Sequence, residues 1–225
     1  AEQGAVVKIG AEWKAEVNGD GARLIYNASQ FENLVVRGPS SESLIRCALD
    51  ADLDLCNINM TPNDGLPGNT IFDGNNHTIY HVKRGETIAK YAGGTIYGYG
   101  DNVTVKNLTI DGMTVDYTAA VEISRNEYHA FGALAGFVGD GFKAENVTVK
   151  NVTMNLNLLG EQGDASTSAH LLPAECIGGL IGYAKGTVTL TGCTVENMTV
   201  NVTDMNDNGG THFLIGGLIG YAAPL

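Results

Sequence analysis

Residues 178–200 read GGLIGYAKGTVTLTGCTVENMTV, and two earlier stretches share that grammar: GGTIYGYGDNVTVKNLTIDGMTV at 93–115 and GALAGFVGDGFKAENVTVKNVTM at 132–154. A fourth opens as GGLIGYA at Gly216 and stops. From the first glycine to the closing apolar residue (Val115, Met154 or Val200) every complete copy covers the same interval without a gap: 115 − 93 = 154 − 132 = 200 − 178 = 22. Only the joining segments, 116–131, 155–177 and 201–215, vary. A fixed unit with variable joints belongs to chains that stack one structural unit on the next, because one unit cannot seal its own apolar face.

The alternation inside a copy says what the unit is. Leu108 and Ile110 flank Thr109, Val147 and Val149 flank Thr148, and Cys193 and Val195 flank Thr194. That period of two is a half-buried strand. The phase then slips at Asp111-Gly112, Lys150-Asn151 and Glu196-Asn197, and apolar residues resume at Met113/Val115, Val152/Met154 and Met198/Val200. Gly and Asn tolerate left-handed backbone angles, so each slip reads as a corner. Short strands joined by corners and repeated in register predict an all-β fold, a parallel β-helix or solenoid. Its right hand follows from the crossover rule for parallel strands. Each inward Val, Ile, Leu or Met contributes ~1.5–3 kcal/mol on burial, enough to outweigh the turn chemistry. Stacking would place Thr109, Thr148 and Thr194 in one outward ladder and Thr114, Thr153 and Thr199 in another. Phe137, Tyr183 and Tyr221 would form an aromatic column, and Asp111, Lys150 and Glu196 a column of alternating sign.

The repeats occupy 91–225, with copies starting near 93, 132, 178 and 216. Residues 26–90 read as an N-terminal cap with the first turns, and 1–25, which include Trp13, as a lead-in strand or linker. Within the cap, the apolar spacing of Tyr26, Phe31 and Leu34 predicts a short helix, Ala51–Leu55 a short strand, and Thr70–Ile79 two strands around a turn. The fourth copy lacks its N-V-T half, which leaves a strand edge open. Open edges invite pairing, so further C-terminal chain or edge-mediated self-association is expected.

The combination of ADLDL at 51–55, FDGNNHTI at 72–79 and the GGLIGYA rungs at 178–184 and 216–222 resembles the GLUG-motif family of bacterial β-helix surface proteins. A looser copy of the motif stands at 132–138, and the resemblance covers about 26–225. It implies export to the extracellular space or the outer surface of a bacterium and a role in stalks or adhesins. It supplies no catalytic residues.

Composition narrows the partners. The chain has 225 residues, 44% hydrophobic, with 30 Gly against 5 Pro, and 25 acidic against 13 basic side chains for a net charge of −12. Such acidity repels nucleic acid and anionic lipid. No apolar run approaches the ~20 residues that span a bilayer as a helix. Cys47, Cys56, Cys176 and Cys193 have no zinc-like spacing and read as small hydrophobes, with disulfide pairing left open.

Parallel β-helices include polysaccharide lyases and glycoside hydrolases, whose sites need clustered carboxylates. Here Asp111 stacks with Lys150 and Glu196, and the Asp116, Asn155, Asn201 column holds one carboxylate, so catalysis is not expected. Asp204, Asn206 and Asn208, followed by Gly209, match the first half of a calcium loop, but position twelve is Ile215 where a bidentate Glu belongs. A plain turn is the stronger reading, and no cofactor is expected. The N-x-S/T sequons at Asn27, Asn76, Asn102, Asn107, Asn146, Asn151, Asn197 and Asn201 read as corner asparagines and ladder threonines rather than glycan acceptors. His129, His170 and His212 read as solvated loop histidines before the glycines, and Tyr91, Tyr97 and Tyr99 as packing in the first copy. The long connections are the expected binding face, with Tyr117, Arg125, Tyr128, His170 and His212 the candidate contacts for a host or bacterial surface glycan or protein. A polysaccharide-degrading enzyme and a purely structural spacer are the alternatives.

Overall fold

The computed structural model describes residues 7–9, 12–14, 17–37, 44–56, 66–84, 100–118, 129–158, 175–204 and 213–223. These residues are nearly all β. In chain order the elements are β1 (Val7–Ile9), β2 (Glu12–Lys14), β3 (Arg23–Ile25), α1 (Ala28–Arg37), β4 (Ile45–Leu49), β5 (Leu53–Asp54), β6 (Thr70–Asp73), β7 (Thr78–Arg84) and β8 (Thr104–Thr118). Then come β9 (His129–Gly132), β10 (Ala135–Val138), β11 (Phe142–Leu158), β12 (Glu175–Gly178), β13 (Ile181–Lys185), β14 (Val188–Thr191), β15 (Thr194–Asp204), β16 (Phe213–Gly216) and β17 (Ile219–Ala223).

β1 and β2 pair antiparallel. Every other pairing between these strands is parallel. The largest sheet runs β14-β11-β8-β6-β4-β3, with β15 also on β11 and β7 also on β8. Two smaller sheets run β16-β12-β9 and β17-β13-β10. Leu108 lies opposite Val147, and Val149 lies opposite both Ile110 and Val195. Successive copies therefore meet in the gap-free register that their sequences align in.

The burial pattern of β8 shows how the sequence sets this register. Val105, Leu108, Ile110, Met113, Val115 and Tyr117 are buried, and the alternation breaks twice. One break is at Gly112 (φ 79°), the corner expected from the sequence, and the other is at Asn107 (φ 51°). In β11 the same two positions are Asn146 (φ 53°) and Asn151 (φ 56°). Left-handed angles reset the phase, so each long strand turns at these points without losing its pairing. The asparagine amides also bond along the stack. Asn146 Nδ2 donates to Asn107 Oδ1 at 3.3 Å, Asn151 Nδ2 to Asp111 Oδ1 at 2.7 Å, and Asn197 Nδ2 to Asn151 Oδ1 at 3.3 Å. Six of the sequon asparagines, Asn76, Asn102, Asn107, Asn146, Asn151 and Asn197, have positive φ, which explains their presence structurally.

Inward residues of β8 and β11 form the main core, and Val195, Met198, Val200 and Val202 of β15 pack on it half-buried. The two small sheets approach backbone to backbone. A Cβ on Gly182 would lie 2.5 Å from Phe131 N and 2.7 Å from Gly136 O, so only glycine fits there. A second small cluster contains Ala130, Phe137, Cys176 and Tyr183. Phe137 and Tyr183 stack at 5.4 Å with planes 7° apart, and Tyr221 follows Tyr183 at 5.4 Å.

At the other end, Asn27 Oδ1 accepts from Gln30 N at 2.9 Å and caps α1. Gln30 Oε1 in turn accepts from Tyr26 N at 2.7 Å. Phe31 of α1 is fully buried and meets Phe72 edge-on, their centroids 6.0 Å apart. All four cysteines are free thiols. Burial pushes the Cys47 and Cys176 thiols up to about 12, so both behave as apolar core residues.

Candidate functional site

Strands β8, β11 and β15 end side by side: Asn157 lies opposite Thr118 and Thr203, and Leu158 opposite Asp204. Strands β9, β12 and β16 begin side by side, with His129, Glu175 and Phe213 in one column. The connections 119–128, 159–174 and 205–212 thus join the same two columns in each copy. Arg125, Tyr128, His170, His212, Asn206 and Asn208 fall in these connections and lie outside the described residues, as do Tyr91, Tyr97 and Tyr99. Asp204 closes β15. Among the described residues no group of three or more His, Cys, Asp or Glu side chains is placed to hold a metal.

The structure corrects the loop placement of Tyr117. The residue belongs to β8, because inward alternation continues from Met113 and Val115 to Tyr117, and its ring is only 6% exposed. His129 is likewise no solvated loop residue. It opens β9 at 8% exposure, on the side of the strand that carries Phe131 into the core.

These two residues meet a third that sequence reading passed over. Tyr117 Oη lies 3.0 Å from His129 Nε2, and His129 Nδ1 lies 3.1 Å from Glu175 Oε1. Glu175 has no exposed surface, and among the described residues its Oε2 has no hydrogen-bond partner. Burial raises the Glu175 carboxyl above the usual range, and the His129 bond pulls it partly back. Burial, then the nearby Glu175, pushes the Tyr117 phenol up to about 12. A phenol shifted that way keeps its proton, and little phenolate is present near neutral pH, so the row is built to hold a proton rather than to activate an oxygen. The missed signal was period two read upstream of the glycine: Glu175 stands two residues before the inward Ile177, as His129 does before Phe131.

Outside this row the surface carries ladders of amides and hydroxyls with one carboxylate, Asp116. Asn155 Nδ2 donates to Asp116 Oδ1 at 2.7 Å, Asn201 Nδ2 to Asn155 Oδ1 at 2.8 Å, and Asn157 Nδ2 to Thr118 Oγ1 at 3.1 Å. Round the corner, Lys150 Nζ lies 3.3 Å from Asp111 Oδ2. A hollow of about 320 Å³ is walled in part by Asp20, Arg46, Asp73 and Lys106, and Lys106 Nζ lies 3.0 Å from Asp73 Oδ2. No described helix is long and apolar enough to cross a membrane.

No protein-family model matches the chain, and no curated protein matches it. A crystal structure of a Bacteroides ovatus protein, provisionally named an immunoglobulin A1 protease, is similar at 16% identity and a TM-score of 0.35, over 93% of this chain and 86% of that one.

Proposed function

We propose that the chain is a right-handed parallel β-helix module of a bacterial exterior, of the GLUG type, that captures a surface glycan or protein along the edge where its connections leave the stack. The observation that carries this reading is the alignment of strand ends: three segments of different length start from one column and return to one column. The parallel pairing and the repeated left-handed corners support the β-helix. Such a frame varies its connections freely while the core stays fixed.

The ladders beside that edge favour a glycan over a protein. Asn155, Asn157 and Asn201 present amides next to Thr118 and Thr203, groups that exchange hydrogen bonds with hydroxyls. Only Asp116 in that ladder is charged, and the net charge of −12 disfavours acidic polymers. Asp111 faces Lys150 instead of a second carboxylate, which weighs for a binding role over the paired-carboxylate chemistry of a polysaccharide-degrading enzyme.

The test is a glycan and matrix-protein array probed with the intact chain and with variants whose connections are replaced one at a time by Gly/Ser segments. Binding that disappears with one or more connections is expected. Capture that survives all three replacements overturns the assignment, and an empty array favours the spacer. Release of reducing or unsaturated ends from polysaccharides, with or without calcium, would establish the enzyme.

A further inference from the structure

We propose that Tyr117, His129 and Glu175 form an acid-set latch, which holds the starts of β9 and β12 closed while Glu175 keeps a proton and loosens them when that proton leaves. The geometry places the row where it can act. Tyr117 is the penultimate residue of β8, just before connection 119–128, and His129 is the first residue after it. Glu175 is the first residue after connection 159–174. One hydrogen-bonded row thus ties together three strand ends that flank two connections.

The proton balance follows from the partners. A protonated Glu175 presents a neutral oxygen at its unpartnered Oε2 position, which costs less to bury than a charged one. An ionised Glu175 spreads charge onto that atom with only His129 to answer it, and a buried charge without full hydrogen bonding is costly. Among the described residues, the ionisable groups set against Glu175 are His129 from β9 and Tyr117 from β8, beyond His129. Phe213, its column neighbour in β16, carries no charge. Cys176 faces the second cluster on the other side of β12, and Arg84 is buried at the end of β7 opposite Val115.

The sign is opposite to that of an ordinary salt-bridged carboxylate. The folded Glu175 carboxyl sits above its unfolded value, so its stabilising contribution is complete below the unfolded value and is lost as pH rises through the folded one. Each pKa unit between the two states is about a tenfold change in the opening equilibrium. The strand ends are therefore tight in weak acid and looser toward neutral pH. Any effect on ligand capture rests on the reading given under Proposed function, but the latch does not.

Hydrogen exchange of the β9 and β12 amides in the intact chain tests it without a ligand, between about pH 5 and about pH 8, corrected for intrinsic rates. Protection of these amides is expected to fall severalfold across that window while the β8–β11 amides hold. Glu175→Gln should flatten the dependence. His129→Gln removes the group that pulls Glu175 back and should steepen it. Two variants that change the slope in opposite directions separate the latch from a merely structural role, and infrared titration of the wild-type carboxyl gives a reading that needs neither variant to fold. Equal slopes in wild type and Glu175→Gln, or a Glu175 that titrates at or below the ordinary carboxylate range, would overturn the proposal.

Discussion

The column Ile110, Val149, Val195 and the column His129, Glu175, Phe213 are built by the same parallel pairing, yet they hold different chemistry. In both, neighbouring strands set successive side chains about 4.8 Å apart. The first repeats one chemistry, because a branched aliphatic chain over another excludes water for both. The Asn151–Asn197 column also repeats, because an amide both donates and accepts and so bonds to its own kind. A carboxylate cannot repeat in this way, since like charges at strand spacing repel. Glu175 is therefore flanked by an imidazole on one side and a phenyl ring on the other. A column whose chemistry changes from copy to copy is where this fold departs from its own packing rule.

The largest test of that contrast is a charge in the repeating column. Val149→Asp buries an unpaired carboxylate in a strand covered on both sides, and a loss of more than ~4 kcal/mol, to the point of failed folding, is expected. Val195→Asp stands in the same column in the half-buried outer layer, where water reaches it, and should cost ~1–2 kcal/mol. Urea denaturation measures both. Equal losses would mean that the outer layer is as dry as the middle one, and the column model would fail.

A smaller effect separates backbone from side chain at a corner. Asn151 has φ 56°, bonds down to Asp111 at 2.7 Å and receives Asn197 at 3.3 Å. Asn151→Ala should cost ~1–2 kcal/mol for the left-handed angle, in addition to the lost amide bonds. Asn151→Gly keeps the angle without strain and should lose only the bonds. Thermal melts that rank the two variants equal would place the whole cost in the ladder and none in the corner.

The difference between the columns also explains what the sequence revealed. Leu108, Val147 and Cys193 announce their stacking because like residues recur at equal intervals, and Asn151 and Asn197 announce a corner at the phase slip. The second corner, at Asn107 and Asn146, showed only as sequon asparagines at equivalent positions, because Lys106-Asn107 and Glu145-Asn146 put polar residues side by side without an obvious phase slip. Tyr117 was placed on a loop because the repeat was taken to end at Val115, whereas the inward face runs one residue pair further. Glu175 was invisible for a deeper reason: its column has no repeating chemistry to recognise, and a Glu beside a long connection resembles any solvated carboxylate. Its burial is a property of the stack, not of its own neighbours in sequence.

The smallest effect concerns the outward charges, and it sharpens the comparison by its sign. Asp111 is held below the usual carboxylate range by the Asn151 hydrogen bond first, against some burial, with Lys150 adding to it. A lowered folded value means that its contribution is present above the unfolded value and is lost as pH falls through the folded one. Asp140, held low chiefly by the Thr187 backbone amide, acts in the same direction. Because the Asp111–Lys150 pair is open to water, Asp111→Asn should change stability by less than ~1 kcal/mol at neutral pH, less still at high salt, and should soften only the acid limb of a stability-against-pH curve. Glu175→Gln should leave that limb alone and flatten the opposite one. Two carboxylates in adjoining parts of one stack would then carry opposite pH slopes, the outward one because it is paired and wet, the inward one because it is dry and half-answered. If both substitutions flattened the same limb, Glu175 would behave as a surface carboxylate, and the division between repeating and non-repeating columns would lose its electrostatic basis.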